Sequence, residues 1–214
     1  MELAELQTLL HTVFLRSPEN RFDEFIKECQ MWYSKPAHTL TEMRTRDNKK
    51  IRGDIFEEFC VLYLKYVKGY ETVWRLEDVP DEVLQSLSLK RRDMGIDIIV
   101  GVGLPIEYYA VQCKYKTPKL NKSFISWSAL STFYAMCLRT GPWRKYIVMT
   151  NCDYTRHQGP KTEKDISICL GTLRAISSEQ WIKMCGIYSE ATIAKKELTK
   201  EELRDLRLAY FQSP

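Results

Sequence analysis

Two runs rich in β-branched and aromatic residues, GIDIIVGV (95–102) and YYAVQCKY (108–115), flank a turn at Gly101–Pro105. This arrangement predicts a β-hairpin, because such side chains suit a pleated backbone while glycine and proline favour reversal. Each run also carries groups that an apolar strand does not need. In a strand, residues two apart share a face. Gln112 and Lys114 therefore point the same way, after Ala110, while Tyr109, Val111, Cys113 and Tyr115 take the other side. On the partner strand, Asp97 sits between Ile96 and Ile98-Ile99. Burying a carboxylate without partners costs several kcal/mol, so Asp97 must meet a cation or strong donors. The turn lays the two strands side by side, and Asp97, Gln112 and Lys114 then converge on one small volume.

These side chains suit phosphodiester hydrolysis. A hard divalent cation takes oxygen ligands, available from the Asp97 carboxylate, the Gln112 amide and the backbone carbonyl of Cys113. Such a cation, Mg²⁺ or Mn²⁺, polarises a phosphoryl oxygen and acidifies a bound water. The Lys114 ammonium can orient or help deprotonate that water and stabilise developing negative charge. Glutamine at the position of an acidic ligand removes one negative charge, so weaker metal binding is expected than in a three-carboxylate site.

The rest of the chain reads as alternating elements. Leu3, Leu6, Leu10, Val13 and Phe14 recur at helical spacing, and a second helix carries Phe22, Phe25, Ile26 and Cys29 before Lys35-Pro36. A long helix is expected over 51–67, ended by Gly69, then a strand at ETVWRL (71–76) and a short helix after Pro80. Another helix spans about 126–138, YIVMT (146–150) reads as a strand buried on both faces, and 153–164 reads as a polar loop. The short apolar segment ISICL follows, then a helix from Ser178 to Met184. A last helix opens with the capping box Thr199-Lys200-Glu201-Glu202. Helices followed by helix–strand–hairpin–helix–strand make a mixed α/β core. On the long helix, Glu57 has Gly53, Cys60, Val61 and Leu64 along its own stripe, whereas Glu58 lies nearer Asp54 and Lys65 and reaches solvent more easily. Glu57 is therefore the better fourth member of the site.

In order along the chain, Gly53-x-x-Phe56-Glu57, Gly95-Ile96-Asp97 and Gln112-x-Lys114 resemble the Mrr-type branch of the PD-(D/E)XK nucleases, which has glutamine at the usual acidic position. The segments VWRLEDVP, DMGIDIIV, AVQCKYK, ISWSALSTF and YIVMT resemble a narrower group, the nuclease domains attached to helicases of large DNA viruses and mobile elements. The likeness covers roughly residues 50–185. It implies a restriction-endonuclease-like fold, a central mixed sheet flanked by helices, and Mg²⁺-dependent cleavage of DNA. Glu57, Asp97, Gln112 and Lys114 would be the catalytic residues, with Asp97, Gln112, Glu57 and the Cys113 carbonyl facing the metal. It also implies a neighbouring helicase in a longer protein.

These readings give an N-terminal helical extension (1–46), a nuclease core (47–190) and a C-terminal helix (191–214) that would link to a further domain. The formal net charge of +4 is too small to indicate nucleic acid by itself. Basic residues nevertheless cluster around the motifs: Lys49, Lys50 and Arg52; Lys90, Arg91 and Arg92; Lys116, Lys119 and Lys122; Arg139, Arg144 and Lys145. Around the site they would neutralise phosphates of single-stranded, duplex or branched DNA, giving steep salt dependence and little sequence specificity. Seven scattered cysteines without a CxxC pair, and three histidines far apart, argue against zinc and for reduced thiols in an intracellular compartment. No apolar run reaches membrane-spanning length, and no membrane partner is expected. Two other readings share the fold: a module that binds DNA without cutting it, and an RNA-directed endonuclease. The second usually carries an added histidine ligand, which this segment lacks.

Overall fold

The computed structural model describes residues 3–33, 48–92, 95–118, 122–157 and 162–186. The apolar spacing at the N-terminus forms α1 (Leu3–Arg16) and α2 (Arg21–Tyr33), which bury Leu6, Leu10 and Val13, and Phe22, Phe25, Ile26 and Cys29. The long helix is α3 (Asn48–Leu62), passing into a π-helical turn at Tyr63–Val67. Gly69 ends it with φ +73°, a conformation that costs a residue without Cβ little.

Five strands form the main sheet: β1 (Thr72–Arg75), β2 (Ile98–Val102), β3 (Glu107–Lys114), β5 (Trp143–Thr150) and β7 (Asp165–Ile168). They lie in the order β1-β2-β3-β5-β7. The β1/β2 and β2/β3 pairs are antiparallel, whereas β3/β5 and β5/β7 are parallel. Two short strands, β4 (Phe124–Ile125) and β6 (Tyr154–Thr155), make a small parallel sheet of their own. The short helix α4 (Asp81–Ser86) follows Pro80, α5 (Trp127–Arg139) joins β4 to β5, and α6 (Leu170–Arg174) and α7 (Ser178–Met184) follow β7.

Alternation along the strands divides the interior in two. One face of the sheet contributes Val73, Ile98, Val100, Val111, Cys113, Ile147 and Met149 to a core shared with α1, α2, α3 and α7. The other contributes Ile99, Ala110 and Val148 to a core with Leu130, Phe133 and Cys137 of α5. This mixed α/β sandwich, a five-stranded mixed sheet flanked by helices, is the restriction-endonuclease-like arrangement that the resemblance implies.

Some segments differ from the sequence reading. ISICL is divided between the end of β7 and the start of α6, and the polar loop at 153–164 contains β6. Strand β5 begins at Trp143, three residues before YIVMT, because exposed Arg144 and half-buried Lys145 mask its start in the sequence. The reversal between β2 and β3 is made by residues 103–106, with Gly101 still inside the strand. The helix expected from Thr199, and all of 191–214, lie outside the described residues. Among the described residues no helix is long and apolar enough to cross a membrane.

Candidate active site

Asp97 stands immediately before β2 and is fixed from both sides. Its N–H donates to the Val111 carbonyl at 2.9 Å, and its own carbonyl accepts from Leu76 N at 2.8 Å. The β2/β3 register, with Ile98 opposite Val111, places Asp97 opposite Gln112 and on the same face. Gly95, two residues earlier, has φ +94°, and a Cβ there would come 3.1 Å from the Phe133 backbone N. The Gly95-Ile96-Asp97 motif thus has a physical basis, since only glycine lets this turn approach α5 so closely.

The donors that a half-buried carboxylate requires come from the neighbouring strand. Cys113 N donates to Asp97 Oδ2 at 2.5 Å, and Gln112 Nε2 donates to the same oxygen. Gln112 is only 2% exposed, and its Nε2 also lies 3.4 Å from the Cys113 carbonyl. The amide nitrogen, not the oxygen, therefore faces Asp97. This differs from the expected pair of oxygen ligands side by side, because an ionised carboxylate accepts hydrogen bonds and cannot donate them. Lys114 ends β3, half-buried, on the face shared with Gln112, and its carbonyl accepts from Thr150 Oγ1 at 2.7 Å.

Glu57 and Asp97 line one cleft of about 190 Å³, together with Asp54, Arg75, Leu76, Glu77, Arg91 and Ile96. Glu57 reaches it because Phe56, Phe59 and Cys60, all buried, anchor α3 against the sheet. Gln112 and Lys114 stand on the strand beyond Asp97 and not in the lining itself. Glu58 does not reach solvent as expected: Arg75 of β1 forms an ion pair with it and leaves its side chain 17% exposed. Arg75 also pairs with Glu77, and Arg91 donates to Asp81 Oδ1 at 2.5 Å. Of the two arginines lining the cleft, Arg91 belongs to the basic run expected at its rim, whereas Arg75 escaped the sequence reading. Arg75, a lone cation in an apolar strand, carried the same signal that singled out Asp97.

Behind the carboxylates, Cys60 and Cys113 share a hydrogen bond between α3 and β3. Burial raises both thiols, and nearby Glu57 and Asp97 add to the rise, so both stay protonated. All seven cysteines are free thiols.

The basic residues separate into groups. Lys116, Lys122 and Arg92 are exposed, and Lys116 lies two residues beyond Lys114. Arg52 is half-buried on α3, with its Nε buried and without a hydrogen bond. Lys49 and Lys50 belong to the first turn of α3, but their side chains, like Lys119 as a whole, lie outside what is described. Arg139, Arg144 and Lys145 are not brought to the cleft. β3 and β5 run parallel, with Tyr108 opposite Trp143 and Lys114 opposite Thr150. Arg144 is thus about 20 Å along the strand from the Thr150 end. There it pairs with Glu107 at 3.5 Å, while Lys145 Nζ donates to the Glu163 carbonyl at 2.7 Å. The crossover through α5 returns the chain to the start of β3, a direction that sequence proximity does not reveal.

Among the described residues no group of three or more His, Cys, Asp or Glu side chains lies close enough to hold a metal ion. The donors that do meet are carboxylates. Such a set fits a hard cation that keeps several waters and takes one or two carboxylates, and does not fit a closed zinc site.

A family model described as a restriction endonuclease, of the Mrr catalytic type, matches residues 64–181, more than half of the chain. The chain belongs to this restriction endonuclease family. No curated protein and no solved structure matches it. Membership makes the protein a nuclease-type hydrolase, with DNA as the implied substrate and a divalent metal as the usual cofactor of the family. The matched segment contains Asp97, Gln112 and Lys114 but begins after Glu57, whose candidacy rests on its place in the cleft.

Proposed function

We propose that the protein is a metal-dependent endonuclease that hydrolyses DNA phosphodiester bonds with little sequence specificity. The observation that carries this reading is the convergence of Asp97 and Glu57, from a sheet and a helix, on one cleft beside Gln112 and Lys114. A structural carboxylate would need only the donors supplied by Cys113 and Gln112. Glu57 adds a second carboxylate to the lining of the same cleft, a donor set that a hard divalent cation takes.

In this proposal Asp97 and Glu57 would hold a hydrated Mg²⁺ or Mn²⁺, with the Cys113 carbonyl as a further oxygen donor. When bound, the cation would polarise the phosphoryl oxygen and acidify a water. Gln112 and the Cys113 N–H orient the Asp97 carboxylate through Oδ2. The Lys114 ammonium orients the attacking water, and its charge favours the negatively charged transition state. Arg75 and Arg91 line the approach and bring positive charge to the phosphate backbone. Lys116, Lys122, Arg92 and Arg52, with Lys49, Lys50 and Lys119, complete the set proposed to contact phosphates. Contacts to the backbone position DNA without reading its sequence.

The free thiols suit a reducing compartment. The likeness to helicase-linked nuclease domains leads us to propose that the protein works within a larger DNA-processing assembly, which the mass of the native gene product tests. For the activity, single-stranded, duplex and branched DNA are incubated with Mg²⁺, Mn²⁺ or a chelator, beside a Lys114→Ala control. Metal-dependent internal cuts that vanish in the control are expected, and metal-independent or Lys114-independent cutting would overturn the proposal.

A further inference from the structure

Beyond Lys114 the chain builds a second surface. Lys116 lies two residues further on, so its Cα is at most about 7 Å from that of Lys114. Its ammonium donates to the Phe124 carbonyl at 2.9 Å and lies 5.5 Å from the centroid of the Phe124 ring. The β4/β6 register pairs Phe124 with Tyr154, and their rings stack with centroids 5.5 Å apart and planes 17° apart. The Arg156 guanidinium lies 3.8 Å over the Phe124 ring, and its Nη2 donates to Tyr154 Oη at 3.3 Å. Tyr154 is 38% exposed, and Lys116 and Arg156 are exposed as well.

Asp153, the acid next to Tyr154 in the chain, is engaged elsewhere. Asp153 Oδ2 accepts from Ser123 N at 2.7 Å and lies 3.4 Å from Ser123 Oγ, closing the loop that carries β4. Among the described residues neither Lys116 nor Arg156 takes part in an ion pair. Two cations gathered on two parallel rings at an exposed surface repel one another, and an anion with flat apolar faces relieves both problems. A nucleic-acid strand has that chemistry, with phosphates for the cations and bases for the rings. In a duplex the base faces are already stacked inside, so only an unpaired strand can use the rings.

We infer that Lys116, Phe124, Tyr154 and Arg156 form a shelf that binds an unpaired segment of DNA next to the cleft. The cations meet the backbone, and the open face of Tyr154 stacks on a base. The inference depends on the proposed function for the path of the strand past Lys114, but not for the binding chemistry. It narrows the substrate to DNA with a single-stranded stretch, such as a flap or an overhang.

The test uses the full chain in a chelating buffer, so that binding is read without cleavage. Anisotropy of labelled oligothymidine, a duplex of equal length and oligouridine is measured against protein concentration. Tyr154→Ala is expected to weaken oligothymidine binding about tenfold and duplex binding by less than about twofold, and Tyr154→Trp to restore it. Arg156→Gln is expected to flatten the slope of log affinity against log salt by about 0.7. Melting of each variant reports folding, and should Tyr154→Ala unfold, Tyr154→Trp and Arg156→Gln decide the matter. Unchanged oligothymidine affinity, equal loss on duplex, failure of tryptophan to restore, an unchanged salt slope or a preference for oligouridine each overturns the inference. Metal-dependent cutting is scored separately. A protein that binds in this pattern but cuts nothing removes the nuclease proposal and leaves the shelf, while one that cuts but ignores Tyr154 does the reverse.

Discussion

The two faces of β3 differ although they belong to one strand. Val111 and Cys113 enter an aromatic core in which Phe25 stacks on Phe59 at 4.8 Å, and Phe22 and Trp181 lie 5.4 and 6.2 Å from the Phe59 ring. Trp181 even places its Nε1–H on the Leu10 carbonyl at 3.1 Å, so its one polar atom is satisfied. The opposite face starts apolar at Ala110 and turns polar through Gln112 to half-buried Lys114. The first face binds helices to the sheet. The second keeps a carboxylate, an amide and an ammonium where the strand ends. The hydrogen-bond ladder of β2 and β3 fixes the backbone of both, so the polar groups share the rigidity of the core.

That contrast is sharpened first by removing the polar face. Lys114→Ala or Asp97→Ala is expected to lower metal-dependent DNA cleavage about 10²–10⁴-fold while the fold persists, as read by initial rates beside thermal melting. Loss of folding instead would show that the polar residues serve the core. The aromatic face should behave in the opposite way. Phe59→Ala is expected to cost about 3–5 kcal/mol in urea denaturation, because a ring contacted by four others leaves a cavity. A loss below about 1 kcal/mol would mean that the helices contribute little to the sheet. Between these, Gly95→Ala should destabilise by about 1–3 kcal/mol, since alanine must adopt φ +94° against the Phe133 backbone. Cleavage by that variant should fall as well, because Asp97 follows two residues later.

Smaller effects come from the buried thiols and the far end of the sheet. Burial pushes Cys29 and Cys137 up to about 12 and Cys185 to about 11, from an ordinary value of 9.0. The folded chain keeps these protons where the unfolded chain loses them. The stabilisation is therefore complete below pH 9 and is lost as pH rises towards 11–12. A melting temperature that falls steadily from pH 9 to 11 is expected, and a flat profile there would refute the assignment. Arg144→Gln should leave DNA affinity within about twofold, since an exposed pair with Glu107 is worth little and stands far from the cleft. A larger drop in a binding titration would place DNA along the whole strand.

Much of this contrast was legible in the residues themselves. Alternation in YYAVQCKY assigns Gln112 and Lys114 to one face whatever surrounds them, because side chains of a strand alternate by geometry alone. The Asp97 carboxylate between isoleucines required donors before any were seen. The periodicities of α1, α2 and α7 depend only on local spacing and hold to within a residue or two. Glu58 was not legible, since its fate depends on Arg75, seventeen positions away and on another element. The β4/β6 sheet was not legible either, because two-residue strands leave no period to read.

The sequence by itself determined which residues share a face, which carboxylate lacked an apolar purpose and which elements form, since these follow from local geometry and the cost of burying charge. Tertiary structure alone decided that Glu57 and Asp97 share a cleft, that Gln112 turns its amide nitrogen to Asp97, and that Arg144 and Lys145 lie at the wrong end of the sheet. The reason is that pairing, strand direction and donor–acceptor choice arise between segments distant in the chain, and no local pattern encodes which segments will meet.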